Sequence, residues 1–216
     1  MNVKLVIFDM DGTLANTEPI HETVRRQITD DCTGGAPFTA DLHPVGRSMA
    51  EMYGELLDIC HLDWDIGTLV ERHTKQTLQG VIDAGLLPED GVTEVLDLCR
   101  KRGIRCAVAS SSPRYLVEGV LHHLKLEACF SDVVCGDDCR HLKPAPDIYL
   151  AVLAHMGVSA KDAIAIEDSA TGIQSANAAG LRCVGYRNPG SGAQDLSGAW
   201  RIVDHLKTLT KWLQDG

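Results

Sequence analysis

The sequence has few basic residues relative to acidic ones, because 20 Lys and Arg stand against 30 Asp and Glu in 216 residues. The formal net charge of −10 at pH 7 argues against a nucleic-acid partner, since neutralising backbone phosphates requires a basic face. With 44% hydrophobic and 23% charged residues, the composition is typical of a globular protein. Disordered and collagen-like chains are thereby excluded.

Long hydrophobic runs are also missing. No stretch of about 18 apolar residues, the length that a transmembrane helix requires, occurs in the chain, so we expect no membrane partner. Residues 1–8 are too short an apolar stretch for a signal peptide and lead directly into acidic residues. They are predicted to form a buried strand, in a protein that we expect to be cytoplasmic and a monomer or weak dimer.

The eight cysteines lack the paired spacing of zinc sites. Cys135 and Cys139 are the closest two in sequence, but no second pair matches them. Cys106 and Cys183 lie inside apolar runs, as expected for reduced thiols in a protein core. A structural zinc site is therefore not expected.

Short apolar runs alternate with segments of helical spacing along most of the chain. Their hydrophobicity is continuous, which is typical of strands that are covered on both faces of a parallel sheet. The intervening segments supply the helical crossovers. The sequence therefore predicts an α/β fold with a Rossmann-like parallel sheet core flanked by helices. The predicted strands cover residues 3–8, 105–109, 132–135, 163–166 and 183–186.

Residues 16–87 break this alternation, because they contain no convincing strand. Three amphipathic stretches, at 20–30, 48–60 and 66–82, predict an inserted all-helical domain. We therefore expect residues 1–15 and 88–216 to form the core domain and residues 16–87 a separate helical domain. A closing helix is predicted at 204–213, with its leucines facing inward.

Asp9 and Asp11 directly follow the first predicted strand, and Gly12 comes next. Two carboxylates at i and i+2 point to the same side, at the carboxyl edge where open α/β sheets bind ligands. Gly12 allows the chain to turn sharply there. Taken alone, the pair is equally compatible with a helix cap or a turn.

The second strand leads into three serines and Pro113, which suits the first position of a helix. Backbone N–H groups and hydroxyls at a helix start can bind an anion. We predict that Ser110 contacts a phosphate and that Ser112 is the helix N-cap.

Two further charged features follow later strands. Lys143 is held between Leu142 and Pro144, in a segment that the prolines keep extended. Glu167 and Asp168 end the fourth strand, and adjacent acids in that position suggest a hard cation. The alternatives are a solvated loop lysine and a helix cap.

In this order and spacing, the four features resemble the motifs of the haloacid dehalogenase superfamily: Asp-x-Asp, a Ser or Thr, a Lys, and an acidic pair. The inserted helices resemble that superfamily's type-1 cap domain. The phrases Phe-Asp-Met-Asp-Gly-Thr-Leu at 8–14, Lys-Pro-Ala-Pro-Asp at 143–147 and Glu-Asp-Ser-x-x-Gly-Ile at 167–173 are closest to β-phosphoglucomutase and its sugar-phosphate phosphatase relatives.

The resemblance implies roles for the core residues. Asp9 would attack phosphorus to give an aspartyl-phosphate, and Asp11, protonated at first, would be the general acid and base. Ser110 and Lys143 would complete the catalytic set by holding the phosphoryl oxygens and offsetting charge. Mg²⁺ would be bound by Asp9, the main-chain carbonyl of Asp11, Asp168 and Glu167, the last directly or through water.

Substrate-binding residues are expected at the phosphate loop and in the cap. Ser111 and Ser112 would contact the phosphate, and His21 lies with Asn16, Thr17 and Glu18 at the first crossing into the cap. Hinge capping and a solvated helix start are the alternatives for Glu18 and His21.

The loop at 43–48 resembles the substrate-specificity loop of the subgroup, where Arg47 could bind a distal anionic or hydroxyl group. A solvated arginine is the alternative, and Lys75 is a weaker candidate. The other helical histidines are predicted to be surface or half-buried: His61, His73, His122, His123, His155 and His205.

These inferences predict a Mg²⁺-dependent phosphatase acting on a small phosphorylated metabolite, a sugar or polyol phosphate. The resemblance also implies that the second Asp of the Asp-x-Asp motif favours phosphate esters over halogenated or phosphonate substrates. A β-phosphoglucomutase using the same intermediate is the alternative, although Asn16 and Thr17 followed by Glu18 and Pro19 resemble the phosphatase form. A catalytically silent binding protein is disfavoured because every motif residue is present.

Overall fold

The computed structural model describes residues 3–36, 38, 48–190 and 194–215. Its centre is a six-stranded sheet in the order β3-β2-β1-β4-β5-β6, and every neighbouring pair is parallel. The strands are β1 (Leu5–Phe8), β2 (Arg105–Ser110), β3 (Asp132–Cys135), β4 (Ala163–Glu167), β5 (Arg182–Tyr186) and β6 (Arg201–Val203). The predicted parallel α/β fold is confirmed.

The order of the strands creates a switch point beside β1. Chain connections run from β1 to β2 and β3 on one side, and β4 then lies on the other side of β1. The last residue of β1, Phe8, is paired with Val108 of β2 and with Ile166 of β4. Residues that follow these strands therefore meet at one edge, where α/β sheets of this type bind ligands.

Helices cover both faces of the sheet. Val6 and Phe8 of β1 pack on one face with side chains of α4 (Val92–Arg102), α5 (Arg114–Leu124) and α8 (Thr208–Asp215). Leu5 and Ile7 pack on the other face with α6 (Asp147–Met156) and α7 (Ala170–Ala178). Side chains alternate between the two faces along a strand, so a strand buried on both faces needs the continuous apolar run that the sequence has.

In the described part of the chain, four helices lie between β1 and β2, and the first three form the helical insertion that the sequence predicts: α1 (Glu18–Thr33), α2 (Met49–Cys60) and α3 (Ile66–Asp83). They share a small core of their own, which includes Ile28, Tyr53 and Leu69. The start of α2 is stabilised by a capping box between Ser48 and Glu51. We refer to α1–α3 as the cap; the exact domain boundaries at residues 16 and 87 stay a prediction.

Some elements differ from the sequence prediction. β6 was not predicted, because it has three residues at the sheet edge and two of them are exposed, so it lacks a continuous apolar run. The closing helix α8 begins at Thr208 rather than 204, although Leu206, Leu209 and Leu213 are buried as expected. Among the described residues, no helix combines the length and the apolar character that crossing a membrane requires.

Candidate active site

A cavity of about 720 Å³ lies between the carboxyl edge of the sheet and the cap. The sheet side contributes Asp9, Asp11 and Lys143, and α1 contributes His21 and Arg25. Residues that follow strands of the sheet and residues of the cap therefore face one cavity, as is usual for small-molecule sites. The remaining lining residues that bear on the site are Ser111, Ser112, His73, Asp168, Thr171 and Gln194.

Lys143 is buried, which excludes the alternative of a solvated loop lysine. Its ammonium donates to Oδ1 of Asp9 at 2.5 Å, to Oε1 of Glu167 at 2.7 Å and to the carbonyl of Ala109 at 2.8 Å. Burial by itself lowers the pKa of Lys143, but the negative charges of Asp9 and Glu167 outweigh it and raise that pKa. The lysine therefore remains cationic and links two strand ends.

Asp9, Glu167 and Asp168 are all buried and can each place one carboxylate oxygen within 4.8 Å of the others. Burial raises the pKa of Asp9 well above its usual value, and the charge of Glu167 raises it further. Lys143 offsets only part of the negative charge of three carboxyl groups. A set of hard oxygen donors with excess negative charge fits a divalent cation, as the sequence predicts.

Two glycines allow the acidic groups to approach the backbone. Gly12 has φ of +77°, and a Cβ there would lie 2.1 Å from Oδ2 of Asp168. A Cβ at Gly172, in the first turn of α7, would lie 2.0 Å from Cδ of Glu167. Ser169 is the N-cap of α7, since its hydroxyl accepts from the Gly172 N–H at 3.1 Å. The alternative that the acidic pair caps this helix is thus excluded.

Asp11 accepts hydrogen bonds from three hydroxyls: Thr17 at 2.5 Å, Ser112 at 2.8 Å and Ser110 at 3.3 Å. Nε2 of His21 lies 3.4 Å from its Oδ1. Burial raises the pKa of Asp11, but the hydrogen bond and charge of His21, with the hydroxyl donors, outweigh it and lower that pKa to about 2. The expectation that Asp11 starts protonated is wrong for this arrangement, because donors surround it and stabilise the ionised form.

The serine loop differs in one respect from the sequence prediction. Ser112 is not the N-cap of α5. Pro113, which was predicted to be the first residue of the helix, occupies that position instead and makes no side-chain cap. The backbone N–H of Arg114 instead donates to Oδ2 of Asp137 at 2.7 Å. Ser110 is fully buried and accepts from the Ser112 N–H at 3.1 Å. Ser111 and Ser112 line the cavity, whereas phosphate contact by Ser110 stays a prediction.

The cap contributes a buried polar chain that includes His21. Nδ1 of His21 lies 2.9 Å from Nε2 of His73, and Nδ1 of His73 lies 2.6 Å from the hydroxyl of Tyr53. Burial lowers the pKa of His21, but Asp11 outweighs it, so that pKa is raised. Burial, followed by the charge of His21, lowers the pKa of His73 to about 3.

The prediction that His73 is surface or half-buried is wrong, because it is only 2% exposed. Leu69, His73 and Thr77 are all buried on α3 and recur every four residues, so they share one face of the helix. That spacing is the signal that could have placed His73 inside.

Gln194 was also missed; its amide donates to the carbonyl of Asp168 at 2.7 Å and to Oδ2 of the same residue at 3.1 Å. Arg25, which lines the cavity and pairs with Glu22, was likewise missed. Lys75 is an exposed helical lysine paired with Glu71 at 2.5 Å. Arg47 lies outside the described residues.

Comparisons with known proteins show the family of the chain. The family described as Haloacid dehalogenase-like hydrolase matches residues 6–186. A phosphorylated carbohydrates phosphatase from Thermotoga maritima is 34% identical over 83% of this chain and 82% of its own length.

Two solved structures are similar over nearly the whole chain. A mutant of CbbY from Rhodobacter sphaeroides in complex with xylulose-(1,5)bisphosphate has a TM-score of 0.83 at 25% identity, covering 96% of each chain. A β-phosphoglucomutase-like protein of Thermotoga maritima, described as putative, has a TM-score of 0.76 at 28% identity, covering 99% of each chain. The chain therefore belongs to the haloacid dehalogenase-like hydrolases, in the subgroup of CbbY, sugar-phosphate phosphatases and β-phosphoglucomutase-like proteins, and is an enzyme of the phosphatase class.

Proposed function

We propose that this enzyme is a Mg²⁺-dependent phosphatase that hydrolyses a small phosphorylated sugar or polyol through an aspartyl-phosphate on Asp9. The observation that carries the proposal is the buried contact of Lys143 with both Asp9 and Glu167. The carboxylate of Asp168 lies beside them at the carboxyl edge of the sheet. The carboxylates concentrate negative charge around Asp9, the proposed nucleophile. A cation is therefore needed to offset that charge when an anionic phosphate binds.

Asp9, Glu167 and Asp168 would hold Mg²⁺, together with the main-chain carbonyl of Asp11. Their oxygen donors are the type that Mg²⁺ prefers. When bound, Mg²⁺ supplies positive charge that offsets the phosphate and stabilises the transferring phosphoryl group. Gln194, which donates to Asp168, would fix the orientation of that ligand, since groups around a metal ligand set its geometry.

In the first step, a carboxylate oxygen of Asp9 forms a bond to phosphorus while the ester oxygen leaves with its electron pair. Lys143 orients the nucleophile, because it donates to Oδ1 of Asp9 and is itself fixed by Glu167. Ser111 and Ser112, at the cavity, and Ser110 next to them would hold the phosphoryl oxygens.

Asp11 would transfer protons in both steps. It would donate to the leaving alkoxide and then accept a proton from the water that attacks the aspartyl-phosphate. Because the groups around Asp11 lower its pKa and favour the ionised form, it must first take up a proton from solvent. Binding of an anionic phosphate would favour that gain, since a nearby negative charge raises the pKa of a carboxyl group.

The cavity lining supports a polar substrate. Arg25 and Thr171 also line this cavity, and their side chains carry hydrogen-bond donors that suit the hydroxyls of a sugar or polyol. The Thermotoga relative is named for phosphorylated carbohydrates, and the CbbY mutant binds xylulose-(1,5)bisphosphate. We extend that substrate class to this enzyme. The structural similarity to the Thermotoga β-phosphoglucomutase-like protein keeps a phosphomutase as the second candidate.

The test is a phosphate-release assay over sugar and polyol phosphates, with Mg²⁺ and with EDTA in its place. We expect Mg²⁺-dependent release that is abolished in Asp9→Asn, a substitution that keeps the size of the side chain but removes the nucleophilic carboxylate. The panel includes β-glucose 1-phosphate with a bisphosphate primer. Glucose 6-phosphate formed without net phosphate release would favour the mutase and overturn the phosphatase proposal.

A further inference from the structure

A buried hydrogen-bonded chain connects all three cap helices to Asp11. It runs from Tyr53 on α2 to His73 on α3 at 2.6 Å, and from His73 to His21 on α1 at 2.9 Å. His21 then faces Oδ1 of Asp11 at 3.4 Å. Tyr53 is fully buried and His73 is 2% exposed, so solvent does not compete for these contacts.

The donors and acceptors of this chain are complementary. Oδ1 of Asp11 already accepts from the Thr17 hydroxyl, and a hydrogen on Nε2 of His21 matches the 3.4 Å contact of that nitrogen with the same oxygen. A neutral imidazole has one donor and one acceptor nitrogen, and a hydroxyl can play either role. His73 and Tyr53 together can therefore match Nδ1 of His21 whether or not that nitrogen carries hydrogen.

The rings also restrict one another. The rings of His21 and His73 are stacked, with centroids 5.2 Å apart and planes inclined by 30°. The ring of Tyr53 meets His73 edge-on, with centroids 5.8 Å apart. Rotation of the His21 ring would break its contact with His73 and leave buried polar atoms without partners, which is costly.

We propose that His73 and Tyr53 are positioning residues that hold the ring of His21 with Nε2 directed at Asp11, so that the three cap helices together orient the acid–base carboxylate. The inference rests on the proposed role of Asp11 and adds two residues that act on it only through His21. A hydrogen bond to the second ring nitrogen commonly fixes both the tautomer and the orientation of a functional histidine.

The first test uses the dependence on leaving group. In Tyr53→Phe, which keeps the ring and removes only the hydroxyl, we expect kcat/KM for fructose 1-phosphate to fall about 10-fold, a fraction of a full acid–base contribution. For p-nitrophenyl phosphate the fall should stay under about 2-fold, because a nitrophenolate leaves with little help from an acid. His73→Leu should show the same selective loss. Tyr115→Phe, which alters an exposed tyrosine, is the matched control and should change neither value.

Equal losses for both esters would mean that the variants only disturb cap packing, and no loss for either would mean that the chain does not act on Asp11; both results overturn the proposal. The second test measures ¹⁵N shifts of the His21 ring, which need no activity. We expect one tautomer, protonated at Nε2, for the neutral ring of the wild type and a mixture in His73→Leu. An unchanged single tautomer also overturns the proposal. If the wild type hydrolyses neither ester, the proposed function fails and the ¹⁵N result alone decides the positioning role.

Discussion

The ammonium of Lys143 lies 2.5 Å from Oδ1 of Asp9, although the two residues are 134 positions apart in sequence. Both side chains are at least nine-tenths buried. Removing one member of a buried ion pair leaves the other charge without compensation, which is far more costly than removing an exposed pair. The ion pair therefore affects both the stability of the sheet edge and the reactivity of Asp9, the proposed nucleophile.

Lys143→Met should reduce both stability and activity. The substitution leaves the carboxylates of Asp9 and Glu167 buried without their shared cation, and we expect a loss of about 3–5 kcal/mol in the free energy of unfolding. We expect kcat to fall about 10²- to 10³-fold, as for loss of one preorganised charge-stabilising donor. Urea unfolding in EDTA and steady-state assays would measure the two effects. The exposed Lys75→Met is the control, and a similar small effect in both variants would contradict the role given to Lys143.

Mg²⁺ should stabilise the wild type through the carboxylate cluster. A ligand that binds only the native state adds about 2.7 kcal/mol at a concentration of 100 times its Kd, so Tm should rise with Mg²⁺ concentration. Asp168→Asn removes one charged donor and should weaken this rise by shifting the midpoint to higher Mg²⁺. Asp63→Asn, at an exposed position in the cap, should leave the titration unchanged. Identical titrations of the wild type and Asp168→Asn by differential scanning fluorimetry would argue against the site.

Gly172→Ala should be destabilising even though alanine favours helices. In an open helix position, replacing glycine by alanine gains about 0.5–1 kcal/mol. At Gly172 the new Cβ would instead lie 2.0 Å from Cδ of Glu167, so Glu167 must move away from Lys143. We expect lower stability in thermal unfolding and lost phosphatase activity. The control is Gly54→Ala on α2, where the added Cβ meets only Ile66 at 3.6 Å and should be neutral or stabilising. If Gly172→Ala behaves like this control, the contact is not restrictive.

The sequence predicts most of the sheet and the catalytic edge for one physical reason. Parallel strands end at a common edge, so motifs that follow β1, β2 and β4 meet without any knowledge of long-range packing. Asp9, Ser110 and Glu167 could be placed in this way. The N-cap of α7 could not be assigned in this way, because Asp168 and Ser169 are adjacent and are both residue types that cap helices.

Contacts that depend on tertiary packing could not be predicted in the same way. The chain from Tyr53 to His21 passes through three helices, and its order depends on how those helices face one another. Gln194 reaches Asp168 from a loop with no recognisable motif. Asp137, which follows the neighbouring strand, accepts a hydrogen bond from the Arg114 N–H at the start of α5, a role for which local rules favour the serine.

His73 should make stability fall as the solution becomes acidic. Its pKa is lowered from 6.5 to about 3 in the folded protein, so between these values the unfolded chain binds a proton that the native state does not. The free energy of unfolding then decreases as pH falls, by about 1.4 kcal/mol per pH unit, or about 2 kcal/mol between pH 7 and pH 5. The raised pKa of His21 acts in the opposite sense, so the measurement compares urea unfolding of the wild type with His73→Leu at both pH values. The variant should lose less stability on acidification than the wild type, while the exposed His122→Gln should follow the wild type. Parallel pH dependence in the wild type and His73→Leu would mean that His73 is protonated as readily in the native state as in the unfolded chain.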